Sequence, residues 1–420
     1  MKLFRNFLSL AVAEVISKLV TFAAFAYLAR KLGPSTFGSI EFAAAVLMCA
    51  SLLVDQGFNA FGAREIAKTP HRTGRLTAEI VTARMGLAIG SYLTVVLFAV
   101  LVNRGPVVLR LLLIYGLSLL LLPFLLQWVF QGHDRMKLVA VAQVIRQTVF
   151  AVVVFAFVRS ADQVVMVAWA EVAAVASAAA FCLFTYRRYF RDETRMRPTV
   201  SRQLFREGVP IGLSQMFWVV KMFGGTLILG IIASTQTVAY YAGAQRILVA
   251  LHAFVWLYYF NLLPSMSRAW QRSQSDFNAM IQSSMQVAVW VALAGGLIWA
   301  AVSSFVIQTV YGPQFAAGGT VLGIFGAVWA MALISGHYRF GLIAAGYSGI
   351  EMMTSMLGAA FALLLIPIGY FKGGVNGAAM GLVAAEAGVW LSSWWCARTF
   401  LRLKSNAEAL RVTRVTEDAS

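Results

Sequence analysis

The sequence predicts an all-α, polytopic integral membrane protein, with about twelve transmembrane helices in two six-helix bundles related as an internal repeat. Three observations predict it. Of 420 residues, 60% are hydrophobic and 12% are charged, about half of the roughly 25% charged share of a soluble domain. Apolar runs long enough to cross a ~30 Å hydrocarbon core follow one another almost end to end. The basic residues behind the net charge of +17 sit in short segments between those runs. There they set orientation in a membrane, and no nucleic-acid partner is expected.

Bounded by charge, Gly or Pro, the predicted spans are 7–30, 38–62, 77–102, 107–130, 138–158, 163–186, 208–232, 237–262, 280–309, 317–337, 348–370 and 375–400. The first run ends in Arg30 and Lys31 and exceeds the core of a signal peptide, so it reads as a span and not as a cleaved leader. With a cytoplasmic N-terminus, the outside segments hold Arg30, Lys31, Arg104, Arg159 and Lys372. The inside segments hold twenty-two Lys and Arg, from Lys2 and Arg5 to Arg411 and Arg414. That bias puts both termini in the cytoplasm, which requires an even number of spans.

The longest inside loop divides the chain. Residues 1–190 are expected to form an N-terminal bundle, 191–206 a basic cytoplasmic linker near anionic headgroups, 207–402 a C-terminal bundle and 403–420 a polar tail. The halves look related. The turn after span one begins Leu32-Gly-Pro-Ser-Thr-Phe-Gly, and the turn after span seven begins Ile232-Ala-Ser-Thr-Gln-Thr. An offset of 203 puts Lys18 on Lys221, each near the middle of its span. Gly86-x3-Gly90, Gly208-x3-Gly212 and Gly377-x3-Gly381 are read as close helix packing.

Function is sought in the charges inside the spans, because an ionised side chain at mid-membrane costs at least ~2.5–3.5 kcal/mol and faces a cavity or a partner. They are Glu14, Lys18, Glu41, Asp55, Arg84, Arg146, Glu171, Lys221, Arg246 and Glu386. Glu14 and Lys18, four apart, share a helix face and can pair. Lys221 and Arg246 have no acid one turn away, so their partners come from other helices, water or a ligand. Lys18, Lys221 and Arg246 are expected to form a cationic patch in a central cavity, suited to phosphate or pyrophosphate. Glu14, Asp55, Arg84, Glu171 and Glu386 are the candidates for ion coupling or gating. Asp55 could cap a helix or pair with Arg64 or Arg84, Glu79 and Arg84 could form an inner latch, and Glu171 and Glu386 lie deeper. Cys49, Cys182 and Cys396 and the dispersed histidines give no metal or disulfide pattern. No nucleophile motif or phosphate-binding glycine loop stands out, so no catalytic residue and no cofactor is expected.

Several short stretches carry a resemblance: Asn6 opening span one, Ala29-Arg-Lys-Leu-Gly-Pro-Ser-Thr-Phe-Gly, Asp55-Gln-Gly, Arg64-Glu-Ile-Ala, Gly208-Val-Pro-Ile, Val238-Ala-Tyr-Tyr-Ala-Gly-Ala-Gln-Arg-Ile and Tyr311-Gly-Pro-Gln-Phe. In order and spacing they resemble bacterial polysaccharide-repeat-unit flippases, the Wzx-type group of the multidrug/oligosaccharidyl-lipid/polysaccharide (MOP) exporter superfamily. The resemblance implies two bundles around a cationic cavity. It also implies transfer of an undecaprenyl-pyrophosphate-linked oligosaccharide between leaflets of the bacterial inner membrane by alternating access. A coupling ion (proton or sodium), membrane lipids and the polysaccharide polymerase and export machinery are the further partners it implies. Two alternatives are weaker. A drug or metabolite antiporter of the same superfamily would favour an acidic cavity, and a membrane-integral polymerase or ligase would carry a larger outside loop.

Overall fold

The computed structural model describes the backbone of residues 2–190 and 201–417, and side chains over 17–190 and 201–400 apart from 203, 210, 211 and 214. The described residues form twelve α-helices joined by short turns and 3₁₀ segments, with no strand among them. They are α1 (Lys2–Asp55), α2 (Phe58–Lys68), α3 (Thr73–Val102), α4 (Pro106–Leu117), α5 (Gln127–Gly132), α6 (Met136–Phe157), α7 (Val165–Tyr189), α8 (Arg202–Ile232), α9 (Thr235–Arg272), α10 (Gln274–Tyr311), α11 (Ala317–Ala344) and α12 (Ser348–Glu417).

Helices and spans do not correspond one to one. Ten stretches are long and apolar enough to cross a membrane, but Ser17–Lys68 and Ser348–Phe400 run to 52 and 53 residues, each enough for two crossings. Both break at glycine. Gly33 sits at φ 76, and Pro34 follows it. Glycine tolerates the left-handed backbone, and proline, which lacks an N–H, opens the next helix without losing a bond. Across this break the rings of Phe25 and Phe37 lie 6.4 Å apart, whereas twelve residues of straight helix would separate them by about 18 Å, so the chain reverses. In α12 the break is at Gly373 and Gly374, the latter at φ 59. Its two arms then touch backbone to backbone: a Cβ on Gly377 would stand 2.0 Å from the carbonyl oxygen of Gly369, and one on Gly381 would stand 2.3 Å from that of Leu365. The chain is a multi-pass membrane protein, and resolving these two hairpins turns ten stretches into twelve spans.

Several details differ from the sequence reading. Span two stops at Asp55 because Gln56 and Gly57 adopt positive φ, and 58–68 is a separate helix. Span four is α4, a 3₁₀ segment over Ser118–Phe124 and α5 in series, because Pro123 removes a backbone donor where a helix would need one. Of the three Gly-x3-Gly pairs, 208/212 packs against Gln56 and Phe58 and 377/381 packs within α12, while nothing lies within 4 Å of a Cβ placed at Gly86 or Gly90.

The chain divides into two compact units. Unit 1 is Met1–Val219, Leu229–Ala239 and Val310–Gln314, and unit 2 is Val220–Ile228, Tyr240–Thr309 and Phe315–Ser420. Unit 1 is centred on a core that includes Phe58, Trp128, Phe130 and Tyr186. Unit 2 has one apolar cluster around Tyr259, Ala288 and Leu333 and another around Met266 and Phe277.

Candidate functional site

Apolar spans leave few reasons for a charge to be present, so what an intramembrane charge touches is informative. Among the described ion pairs, the most deeply buried lies in unit 2. Lys221 on α8 donates to Glu386 on α12 over 2.9 Å, with side-chain exposures of 5% and 0%. His252 on α9 is also buried and lies within electrostatic reach of both. Its Nδ1 meets the carbonyl of Leu248 at 3.3 Å. Neither its Nε2 nor Glu386 Oε1 has a hydrogen-bond partner. Nearby on α8 and α9, Thr226 donates to Gln245 Oε1 over 2.5 Å, and the Gln245 Nε2 and Tyr241 hydroxyl are buried without partners. Burying two ions costs several kcal/mol each unless further hydrogen bonds complete them.

Unit 1 holds a second pair. Arg146, near the middle of α6, donates through Nη2 to Glu171 of α7 over 2.6 Å, with exposures of 34% and 16%. Glu171 and Glu386, the deeper candidates for ion coupling, therefore each have a cation. No helix-spacing rule finds such partners, because each acid comes from a different helix.

Where α1, α2 and α3 meet in unit 1, Arg84 donates to Asn59 Oδ1 over 3.0 Å and stands 3.9 Å from Asp55. Asp55 accepts from the Asn59 backbone N–H at 3.4 Å, so it both caps α2 and pairs with Arg84. Of the expected Glu79–Arg84 latch, Arg84 thus turns to Asn59 and Asp55, while Glu79 accepts from the Ser201 N–H over 2.8 Å. Arg64, the other candidate partner of Asp55, pairs with Glu207 at 2.5 Å. With Gly208 and Gly212 pressed on Phe58 and Gln56, these contacts fasten the start of α8 within unit 1.

Of the expected cationic patch, Lys18 is an exposed residue of unit 1, while Lys221 and a half-buried Arg246 belong to unit 2. Lys221 does not stand open, because Glu386 occupies it. The side chain of Glu14, like residues 191–200 of the linker and the side chains of the tail, lies outside the described residues. Among the described residues no group of His, Cys, Asp and Glu is arranged to hold a metal ion.

Residues 3–270 match the family described as polysaccharide biosynthesis protein. The chain belongs to that family. A member-like relative, a candidate O-antigen transporter of Escherichia coli (strain K12), is 23% identical over 393 residues, covering 91% of this chain and 93% of its own. Among solved structures, an inward-facing multidrug resistance MATE family transporter of the MOP superfamily superposes with a TM-score of 0.72 at 14% identity, covering 96% of this chain and 99% of that one. The lipid II flippase MurJ in an inward closed conformation follows at 0.68 and 12%, covering 93% and 87%. At such identities the likeness is one of fold. The polysaccharide biosynthesis protein is thus built on the MOP-superfamily fold, as its motifs had suggested.

Proposed function

We propose that this chain is a flippase that carries an undecaprenyl-pyrophosphate-linked oligosaccharide from the cytoplasmic to the periplasmic leaflet of the bacterial inner membrane, by alternating access and with both termini cytoplasmic. The observation that carries the reading is the family match over residues 3–270 on a fold shared with MOP transporters. The relative described as an O-antigen transporter and the lipid II flippase of like fold support a lipid-linked sugar as the cargo. So do cations held inside the membrane, since a diphosphate is recognised by charge-assisted hydrogen bonds.

In this reading Lys18, Lys221 and Arg246 supply charge to the diphosphate. Lys221 is available only when its bond to Glu386 opens. Protonation of Glu386, or an incoming diphosphate competing for the ammonium, opens it, and this links cargo binding to a coupling ion. Asp55, Arg84 and Glu79 act at the inner end as gating contacts.

The test is reconstitution of the full chain into vesicles with a fluorescent undecaprenyl-diphosphate-linked glycan, followed by a membrane-impermeant quencher. Leaflet exchange above that of protein-free vesicles is expected, faster with a proton or sodium gradient. Exchange equal to empty vesicles, with folded protein present, sinks the reading. Efflux of organic cations by the same vesicles would favour the antiporter reading instead.

A further inference from the structure

Where α6 begins and α7 ends, unit 1 has a cavity of about 390 Å³ lined by Asp134, Arg135, Met136, Lys137, Leu138 and Tyr189. It is large enough for a small ligand or a headgroup, and it shares no residue with the ion pairs above. Both helices belong to spans, so the cavity lies at span ends, where lipid headgroups meet the protein. Two cations line it against one acid. Arg135 stands over the Tyr189 ring at 4.1 Å and over the Phe190 ring at 5.6 Å. Stacking of this kind steadies a guanidinium while leaving its edge N–H donors for another partner.

The charges of this cavity are not matched within the protein. Among the described residues neither Arg135 nor Lys137 forms an ion pair, not even with Asp134 beside them. Elsewhere in unit 1, Arg64 is held by Glu207 and Lys68 by Glu65. Arg187 and Arg188, in the last turn of α7, are exposed and add charge of the same sign. Further into the spans the surface turns apolar. Val141 lies one turn beyond Lys137 on α6, and Phe184 lies one turn before Arg188 on α7, so each shares a helix face with a cation. They are 44% and 66% exposed, on two helices that pack against each other. A free phosphate would use the cations and gain nothing from this apolar surface. A lipid uses both.

We propose that this cavity is a binding site for an anionic phospholipid of the surrounding membrane. Arg135 and Lys137 take the phosphate by charge-assisted hydrogen bonds, and the acyl chains run past Val141 and Phe184. Basic segments at a membrane surface attract anionic lipids in general, whereas a basic pocket at the ends of spans holds one headgroup. The site rests on local charge and shape, and it does not depend on the identity of the transported cargo.

The test measures lipid binding to the detergent-purified full chain by native mass spectrometry, with phosphatidylglycerol and phosphatidylcholine of the same acyl chains. Wild-type protein should prefer phosphatidylglycerol by about tenfold or more, the size of one good charge-assisted contact. Arg135→Gln/Lys137→Gln should lose most of that preference while melting near the wild type. Arg268→Gln/Arg272→Gln removes the same charge from exposed positions of unit 2 and should keep it. A preference that survives Arg135→Gln/Lys137→Gln overturns the site. So do equal losses in the two double variants, because net charge alone would then draw the lipid. Asp134→Asn removes the acid from the cavity at an exposed position, and asparagine tolerates the positive φ found there. It should raise phosphatidylglycerol binding severalfold, and a fall would overturn the placement of the phosphate even if the double variant fails to fold. Inorganic phosphate at millimolar concentration should displace little phosphatidylglycerol; full displacement would overturn the lipid as the occupant. The flippase reading fails separately, in the vesicle exchange assay: protein that holds phosphatidylglycerol here but moves no glycan would leave this site standing.

Discussion

Two acid–base pairs within the spans, one from each unit, differ in burial more than in chemistry. Lys221–Glu386 in unit 2 is closed off, with side-chain exposures of 5% and 0%, while Arg146–Glu171 in unit 1 is open at 34% and 16%. A sealed pair cannot serve a ligand without first breaking, so whatever binds there must compete with the internal partner. An open pair can keep its internal bond and bind at the same time. The internal repeat adds to the contrast. Its offset equates Lys18 with Lys221, yet Lys18 is exposed and Lys221 is buried. Equivalent positions in a repeat need not share an environment.

The largest effect should come from breaking the sealed pair. Lys221→Ala or Glu386→Ala leaves one uncompensated charge in the interior, which costs about 3–5 kcal/mol. The double variant Lys221→Met/Glu386→Leu removes both charges and should cost far less than either single change. Thermal unfolding of the purified variants in detergent is the measurement. If the single changes melt within a degree or two of wild type, water reaches this pair and the contrast with unit 1 disappears.

The next effect tests the seal itself. A Cβ on Gly358 would stand 2.4 Å from Val389 Cγ2 and 3.3 Å from the stem of Lys221. Gly358→Ala therefore forces Val389 or the α12 backbone to move, and overpacking of this kind costs about 1–3 kcal/mol. The melting temperature should fall, and chloride or thiocyanate should broaden the transition if the displaced lysine becomes accessible to anions. An unchanged melt would mean that α12 flexes locally and that the packing around Lys221 is softer than it looks.

How far these features were legible in the sequence depends on whether they are local. Spans were legible because twenty apolar residues in a row have few other uses, and the reversal at Gly33-Pro34 was legible because that dipeptide ends one helix and opens another. The single-helix reading of span four failed on Pro123, whose effect depends on neighbours that take up the freed backbone groups. The hinge at Asp55-Gln-Gly was legible as a motif near the end of span two, yet the apolar run carried that span on to residue 62. Asp55–Arg84 was among the pairings open to Asp55, but the two deeper ion pairs were not legible. Glu386 lies 165 positions after Lys221, and Glu171 lies 25 after Arg146. Helix spacing says which residues share a face of one helix, but pairing across helices depends on how each helix is rotated about its axis. The charged residues were identifiable one by one, and their partners were not.

A smaller effect should come from the open pair. Arg146→Gln removes a pair in which the arginine is a third exposed, and exposed pairs contribute roughly 0–1 kcal/mol. Its melting temperature should fall by much less than that of Lys221→Ala, measured side by side in one detergent. A comparable fall would mean that Arg146 is as deeply desolvated as Lys221, and the open face of α6 would then be sealed by something the exposure does not capture.

The smallest effect isolates a hydrogen bond between α1 and α6 next to that pair in sequence. Thr21→Val keeps the shape and β-branching of the side chain and deletes only the hydroxyl, which now bonds the Ser17 carbonyl and Gln147. The first bond only bends an already hydrogen-bonded backbone group, so little stability rests on it. Hydrogen bonds between membrane helices average about 0.6 kcal/mol, because each group finds substitutes in the unfolded state. A melt within a degree or two of wild type is therefore expected. Thermal unfolding beside Arg146→Gln in one detergent is the measurement. A fall as large as that of Arg146→Gln would mean that the contact between α1 and α6 contributes as much stability as the open ion pair.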